Sequence, residues 1–138
     1  MLKNLYFQGF DIISSQFTDN STEDEGYMKA QISEAEYGSD KDDDDDCWVS
    51  AHYKVIFTGY TGKRNDDESN SQIAFEMKLA LECHFRYNSD TPMTKDELES
   101  SSWYLDNFGY IAIKLAAEPI LKNSGYREID IPWSGRRK

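Results

Sequence analysis

Any chemistry in this chain must come from a short inventory. It contains two histidines, His52 and His84, two cysteines, Cys47 and Cys83, a run of five aspartates from Asp42 to Asp46, and the glycines of Gly59-Tyr60-Thr61-Gly62. Carboxylate oxygens suit calcium, but the aspartate run has neither the alternating ligand positions nor the central glycine and closing glutamate of an EF-hand loop. It reads as a solvated, self-repelling loop, and no metal ligands are assigned. A histidine-cysteine catalytic pair needs base and nucleophile within hydrogen-bond reach and a third group to orient the base. Nothing local to His52, His84, Cys47 or Cys83 selects that geometry. Neither cysteine belongs to a CxxC pair that would nominate zinc, and two cysteines do not make a disulfide scaffold. The two glycines match neither phosphate-binding spacing, so they read as a turn or bulge, and no serine stands in a GxSxG elbow. Pairs of carboxylates carry no specificity in a chain with 26 acidic residues. The reading is a non-enzymatic protein with no catalytic residues and no cofactor.

The elements that would position these groups are clearer than the groups themselves. From Gln72 to Tyr87, Ile73, Phe75, Met77, Leu79, Leu81, Cys83, Phe85 and Tyr87 share one parity, while Glu76, Lys78, Glu82, His84 and Arg86 share the other. That is a strand with one dry face, about 50 Å long at ~3.3 Å per residue. Such a strand must bend at a bulge or have part of its apolar face covered by another copy of the chain. Val49, Ala51, Tyr53, Val55 and Phe57 repeat the alternation in a second half-buried strand. Upstream, Met28, Ala30 and Ile32 take one phase and Ala35 and Tyr37 the other, which predicts one bulged strand over 27–37.

At the beginning, Asn4 to Gly9 spell most of a common protease-tag recognition sequence, although Lys3 stands where that sequence usually carries glutamate. The alternative is a natural first strand in which Leu5, Phe7, Phe10, Ile12 and Phe17 are the apolar positions. Their phase shifts would require bulges. Four strands joined by polar loops, including 39–46 and 63–71, predict an antiparallel meander within a single domain spanning residues 1–138.

After the sheet the period changes. Thr94 and Glu97 have the spacing of a capping box, so a helical turn should begin near Lys95. Trp103, Phe108, Ile111, Ala112, Leu115 and Ala116 then recur at three- and four-residue intervals, the mark of an amphipathic helix. Pro119 is expected to kink or end it, Gly125 to cap a short continuation, and residues 129–133 to be extended. The predicted fold class is α+β, a four-stranded antiparallel meander packed against a C-terminal amphipathic helix.

Composition narrows the partners. Lys+Arg number 15 against Asp+Glu 26, for a formal net charge of -11, which disfavours nucleic-acid backbones and anionic lipid. No apolar run approaches the roughly 20 residues of a membrane helix and no signal-peptide pattern opens the chain, so the expected location is cytoplasmic. Nine tyrosines, seven phenylalanines and three tryptophans supply more large apolar groups than a small core needs. Trp48, Tyr53, Phe57, Phe75, Phe85 and Trp103 are the candidate client- or interface-binding residues. Polypeptide is the expected ligand and a homo-oligomer, a dimer or a tetramer, the expected assembly.

Taken together, the segment Ile73-Ala74-Phe75-Glu76-Met77-Lys78-Leu79-Ala80-Leu81-Glu82-Cys83-His84-Phe85, the run Thr94-Lys95-Asp96-Glu97-Leu98, the helix through Asn107, Ile111 and Leu115, and the terminal Ile129-Asp130-Ile131-Pro132 resemble the SecB-type protein-export chaperones. The resemblance implies a four-stranded antiparallel sheet followed by helices, in an acidic cytoplasmic protein that assembles as a dimer of dimers. It also implies a holdase that keeps unfolded preproteins along apolar grooves. Some relatives serve toxin-antitoxin systems, which implies the alternative of an adaptor or inhibitor dedicated to one folded partner.

Overall fold

The computed structural model describes residues 4–19, 26–61 and 73–123. Five strands precede two helices: β1 (Leu5–Asp19), β2 (Gly26–Ile32), β3 (Glu36–Lys41), β4 (Cys47–Thr61), β5 (Ile73–Tyr87), α1 (Lys95–Ser100) and α2 (Ser102–Asn123). All pairings are antiparallel, in the order β1-β5-β4-β2, with β3 also on β4. The α+β class, with an antiparallel sheet followed by a C-terminal helix, is the predicted one.

Strand number and order differ from the simple meander. β1 does not lie beside β2 but on the far edge, against β5. The register gives the reason: Leu5, Phe7, Phe10, Ile12 and Phe17 stand opposite Tyr87, Phe85, Cys83, Leu81 and Met77, so all five join the dry face of β5. Two bulges, between Phe7 and Gly9 and between Ile12 and Ser14, reconcile the irregular spacing with a single face. Gly9, next to the first bulge, has φ 138, a conformation that glycine adopts without a Cβ penalty.

The single bulged strand over 27–37 is in fact two strands. β2 pairs with residues 55–61 of β4 and β3 with residues 47–52. At the break the Ser33 N–H donates to the Lys54 carbonyl at 2.8 Å, which keeps the chain on β4 while its side chains change phase. The expected loop 39–46 is shorter, because β3 runs to Lys41. In the remaining turn Asp42 Oδ1 accepts the N–H groups of Asp44 and Asp46, both at 3.0 Å, so this carboxylate is occupied in shaping the loop. The loop 63–71, the Gly125 cap and the extended segment 129–133 lie outside the described residues.

Both arms of the capping box are present: the Glu97 N–H donates to Thr94 Oγ1 at 3.2 Å and the Thr94 N–H to Glu97 Oε1 at 2.9 Å. α2 follows after Ser101 and continues through Pro119 to Asn123. Burial of Ala116, Ala117 and Leu121 on both sides of the proline holds the last turns to the core against the loss of one backbone donor. The buried face of the helix overlaps the expected stripe at Ala112 and Ala116 but is rotated away from the rest of it. Leu105, Gly109, Ala112, Ile113, Ala116, Ala117 and Leu121 point into the core, while Trp103, Ile111 and Leu115 stay exposed. Small residues explain this choice, since a Cβ at Gly109 would collide with the Tyr53 ring. The backbone of α2 therefore approaches the sheet closely at Gly109, and Trp103, Ile111 and Leu115 are turned away from it.

Candidate functional site

Seated over β4 and β5, α2 has two flanks of opposite character. On the β1 flank, Phe7 stacks on Phe108 with ring centres 4.7 Å apart, and Phe85 meets both edge-on at 5.4 and 5.6 Å. Tyr104 continues the series 5.3 Å from Phe108, and Trp103 lies 5.8 Å beyond it. These rings lead from the core to the surface. Beyond them Ile111 (36% exposed) and Leu115 (52%) lie on the Phe108 side of α2, Ile12 of β1 (46%) is on the same side of the sheet, and Trp103 (59%) stands exposed at the start of the helix. Water touches large apolar groups along this flank, a pattern that marks interaction surfaces more often than chance.

The other flank is polar. Asp106 Oδ1 accepts two phenolic hydrogens, from Tyr37 of β3 at 2.6 Å and from Tyr53 of β4 at 2.8 Å. Burial, reinforced by the neighbouring Asp106 charge, pushes both phenols well above their ordinary pKa, so they stay protonated donors. The break between β2 and β3 opens a cleft of about 540 Å3 here, whose walls include Glu34, Tyr37, Tyr53, Glu99, Asp106 and Tyr110.

The sheet separates the chemistry-bearing residues. His52 and His84 lie on the open face, where both approach Glu82. His52 Nε2 contacts Glu82 Oε2, and His84 Nε2 lies 3.5 Å from Glu82 Oε1 and 2.8 Å from Asp11 Oδ2. Cys47 and Cys83 are buried on the helix side, and burial followed by the Asp106 charge pushes the Cys83 thiol up to about 12. Histidine and cysteine thus stand on opposite faces of one sheet and cannot form a nucleophile-base pair. Among the described residues, no group of three His, Cys, Asp or Glu side chains is arranged to hold a metal ion, and no helix is long and apolar enough to cross a membrane.

The six candidate binding residues divide sharply. Tyr53, Phe57, Phe75 and Phe85 are at most 2% exposed, fixed in the subunit's own core, whereas Trp48 and Trp103 reach the surface. Those two tryptophans are not brought together: Trp48 is on the open face of β4 and Trp103 at the start of α2. Ile12, Leu115 and the Tyr37–Asp106–Tyr53 link were not among the candidates. No local spacing connects positions 37, 53 and 106, although the bulge-corrected phase of β1 could have placed Ile12 on the helix side.

No family model matches the sequence, and neither does any curated protein. Among solved structures, the Mycobacterium tuberculosis SecB-like chaperone Rv1957, in complex with a ChAD peptide from the Rv1956 HigA1 antitoxin, superposes with a TM-score of 0.69. The fold is SecB-like. At 11% identity the match covers 99% of this chain and 95% of that one, so the similarity lies in architecture, with side chains almost wholly different. A SecB-like sheet and helix here carry an apolar flank and a polar flank on either side of α2.

Proposed function

We propose that this SecB-like chain binds polypeptide without covalent chemistry, acting in the cytoplasm as a holdase that covers apolar segments of non-native proteins. The observation that carries this reading is the orientation of α2, which packs its Gly109 face on the sheet and leaves Trp103, Ile111 and Leu115 exposed, with Ile12 exposed on the same side of the sheet. At ~25 cal/mol per Å2, covering several hundred Å2 of such surface supplies several kcal/mol gross, from which ordering costs are subtracted. That balance suits reversible holding of an extended segment. Of the original candidates, Trp103 belongs to this surface, and Trp48 forms a separate contact point on the open face. Tyr53, Phe57, Phe75 and Phe85 support both from beneath.

A second reading is an adaptor dedicated to one partner, favoured by the antitoxin peptide held in the SecB-like Rv1957 complex. Client breadth separates the two, because a holdase binds unrelated unfolded chains and an adaptor ignores them. The same exposed apolar flank suits a homodimer, which sedimentation at micromolar concentration tests directly. For the holdase itself the test is light scattering of a reduced, unfolded client with and without the protein, together with capture of a labelled apolar peptide. Suppressed aggregation that weakens in W103S/L115S is expected; failure of the wild-type chain in both assays removes the role.

A further inference from the structure

We propose that the cleft between α2 and the β2–β3 break is a seat for one cationic side chain, lysine or arginine, of the bound polypeptide. This deepens the polypeptide-binding reading and rests on it. The volume of about 540 Å3 falls in the range of roughly 300–1,000 Å3 usual for ligand sites. Its walls offer hydrogen-bond acceptors in excess. Tyr37, like the buried Tyr53, gives its only phenolic hydrogen to Asp106 Oδ1, so toward a guest the half-buried Tyr37 oxygen can only accept. Asp106 and the exposed Glu34 and Glu99 add carboxylates, and none of the three is in an ion pair among the described residues. No lysine, arginine or histidine lines the cleft, so the missing complement is a donor with positive charge. The half-buried rings of Tyr37 and Tyr110 line the cleft, and aromatic π faces attract a guanidinium or ammonium group and reject an anion. A neutral apolar side chain would displace water from these acceptors and give them no hydrogen in return.

The test uses the full chain and two fluorescent peptides that share one apolar sequence, one carrying a central arginine and the other citrulline at that position. Citrulline keeps the shape and removes the charge. Fluorescence anisotropy at low salt is expected to show about tenfold tighter binding of the arginine peptide, the size of one π-assisted charge contact. The double variant E34Q/E99Q should shrink that preference at least threefold by weakening the arginine peptide. The variant D43N/D44N removes the same charge from the distant turn and should preserve it. Equal affinity of the wild-type chain for both peptides, or equal loss of preference in both double variants, overturns the seat while polypeptide binding stands. Binding of neither peptide overturns the seat and the polypeptide reading together.

Discussion

The two flanks of α2 are built on the same helix and the same sheet, yet they work by different physics. Toward β1 the contacts are rings and aliphatic groups, with no direction to their attraction, and the surface ends in exposed Ile12, Ile111 and Leu115. Toward β3 a single carboxylate is held by two phenols whose geometry allows little variation. The difference teaches where adaptability resides in this molecule: an apolar flank accepts many shapes, while a satisfied polar link fixes the helix that both flanks share.

The strongest way to break this contrast is to remove the ring that ties the apolar flank to the core. Phe85→Ala deletes the contacts to Phe7 and Phe108 together and is expected to cost about 3–5 kcal/mol, read from the urea midpoint. A loss below ~1 kcal/mol would mean that β1 and α2 do not depend on the aromatic series. On the polar flank, Asp106→Ala leaves the buried Tyr53 hydroxyl without its acceptor and should cost about 1–3 kcal/mol. Tyr37→Phe should cost less, because Tyr37 is only part-buried and water can replace its partner.

Alkali sharpens the same distinction. The folded-state pKa values of Tyr37 and Tyr53 lie above those of the unfolded chain, so the unfolded state loses its phenolic protons first. Their contribution is fully present below pH ~10 and declines as pH rises past it. Thermal melts between pH 8 and 11 should show this fall in the wild-type chain and a shallower one in Tyr53→Phe. The smallest effect on stability belongs to the apolar surface: Ile12→Ser and Leu115→Ser should stay within about 0.5 kcal/mol of wild type in urea, yet weaken capture of an apolar peptide. A large stability loss in either variant would show that these positions are core and not surface.

The regular parts of this fold were legible in the sequence because alternation and capping are local. β4 and β5 follow from parity alone, the Thr94–Glu97 box from its spacing, and the need for bulges in β1 from the phases of Phe7, Phe10 and Phe17. Strand order was not, because choosing β5 over β2 as the neighbour of β1 depends on a face formed far later in the chain, from Phe75 to Tyr87. The helix misled for a related reason. Hydrophobic periodicity gave the stripe Trp103, Phe108, Ile111, Ala112, Leu115 and Ala116, of which Ala112 and Ala116 are buried, but close approach over Tyr53 turned the face toward Gly109 and left Trp103, Ile111 and Leu115 exposed. Of the candidate site, aromatic content pointed to apolar binding, while the acceptor-rich cleft was invisible because its residues come from four separate segments.

The bulges of β1 also determine how this edge tolerates changes in length. Gln8 and Ile13 are the residues without a counterpart on β5, so deleting either one shortens the strand and preserves every remaining cross-strand partnership. Losing a single residue anywhere else between Leu5 and Asp19 would invert the inside and outside of everything on one side of the gap. Shortened relatives of this protein should therefore carry their gaps at those two positions, leaving Phe10, Ile12 and Phe17 aimed at the helix.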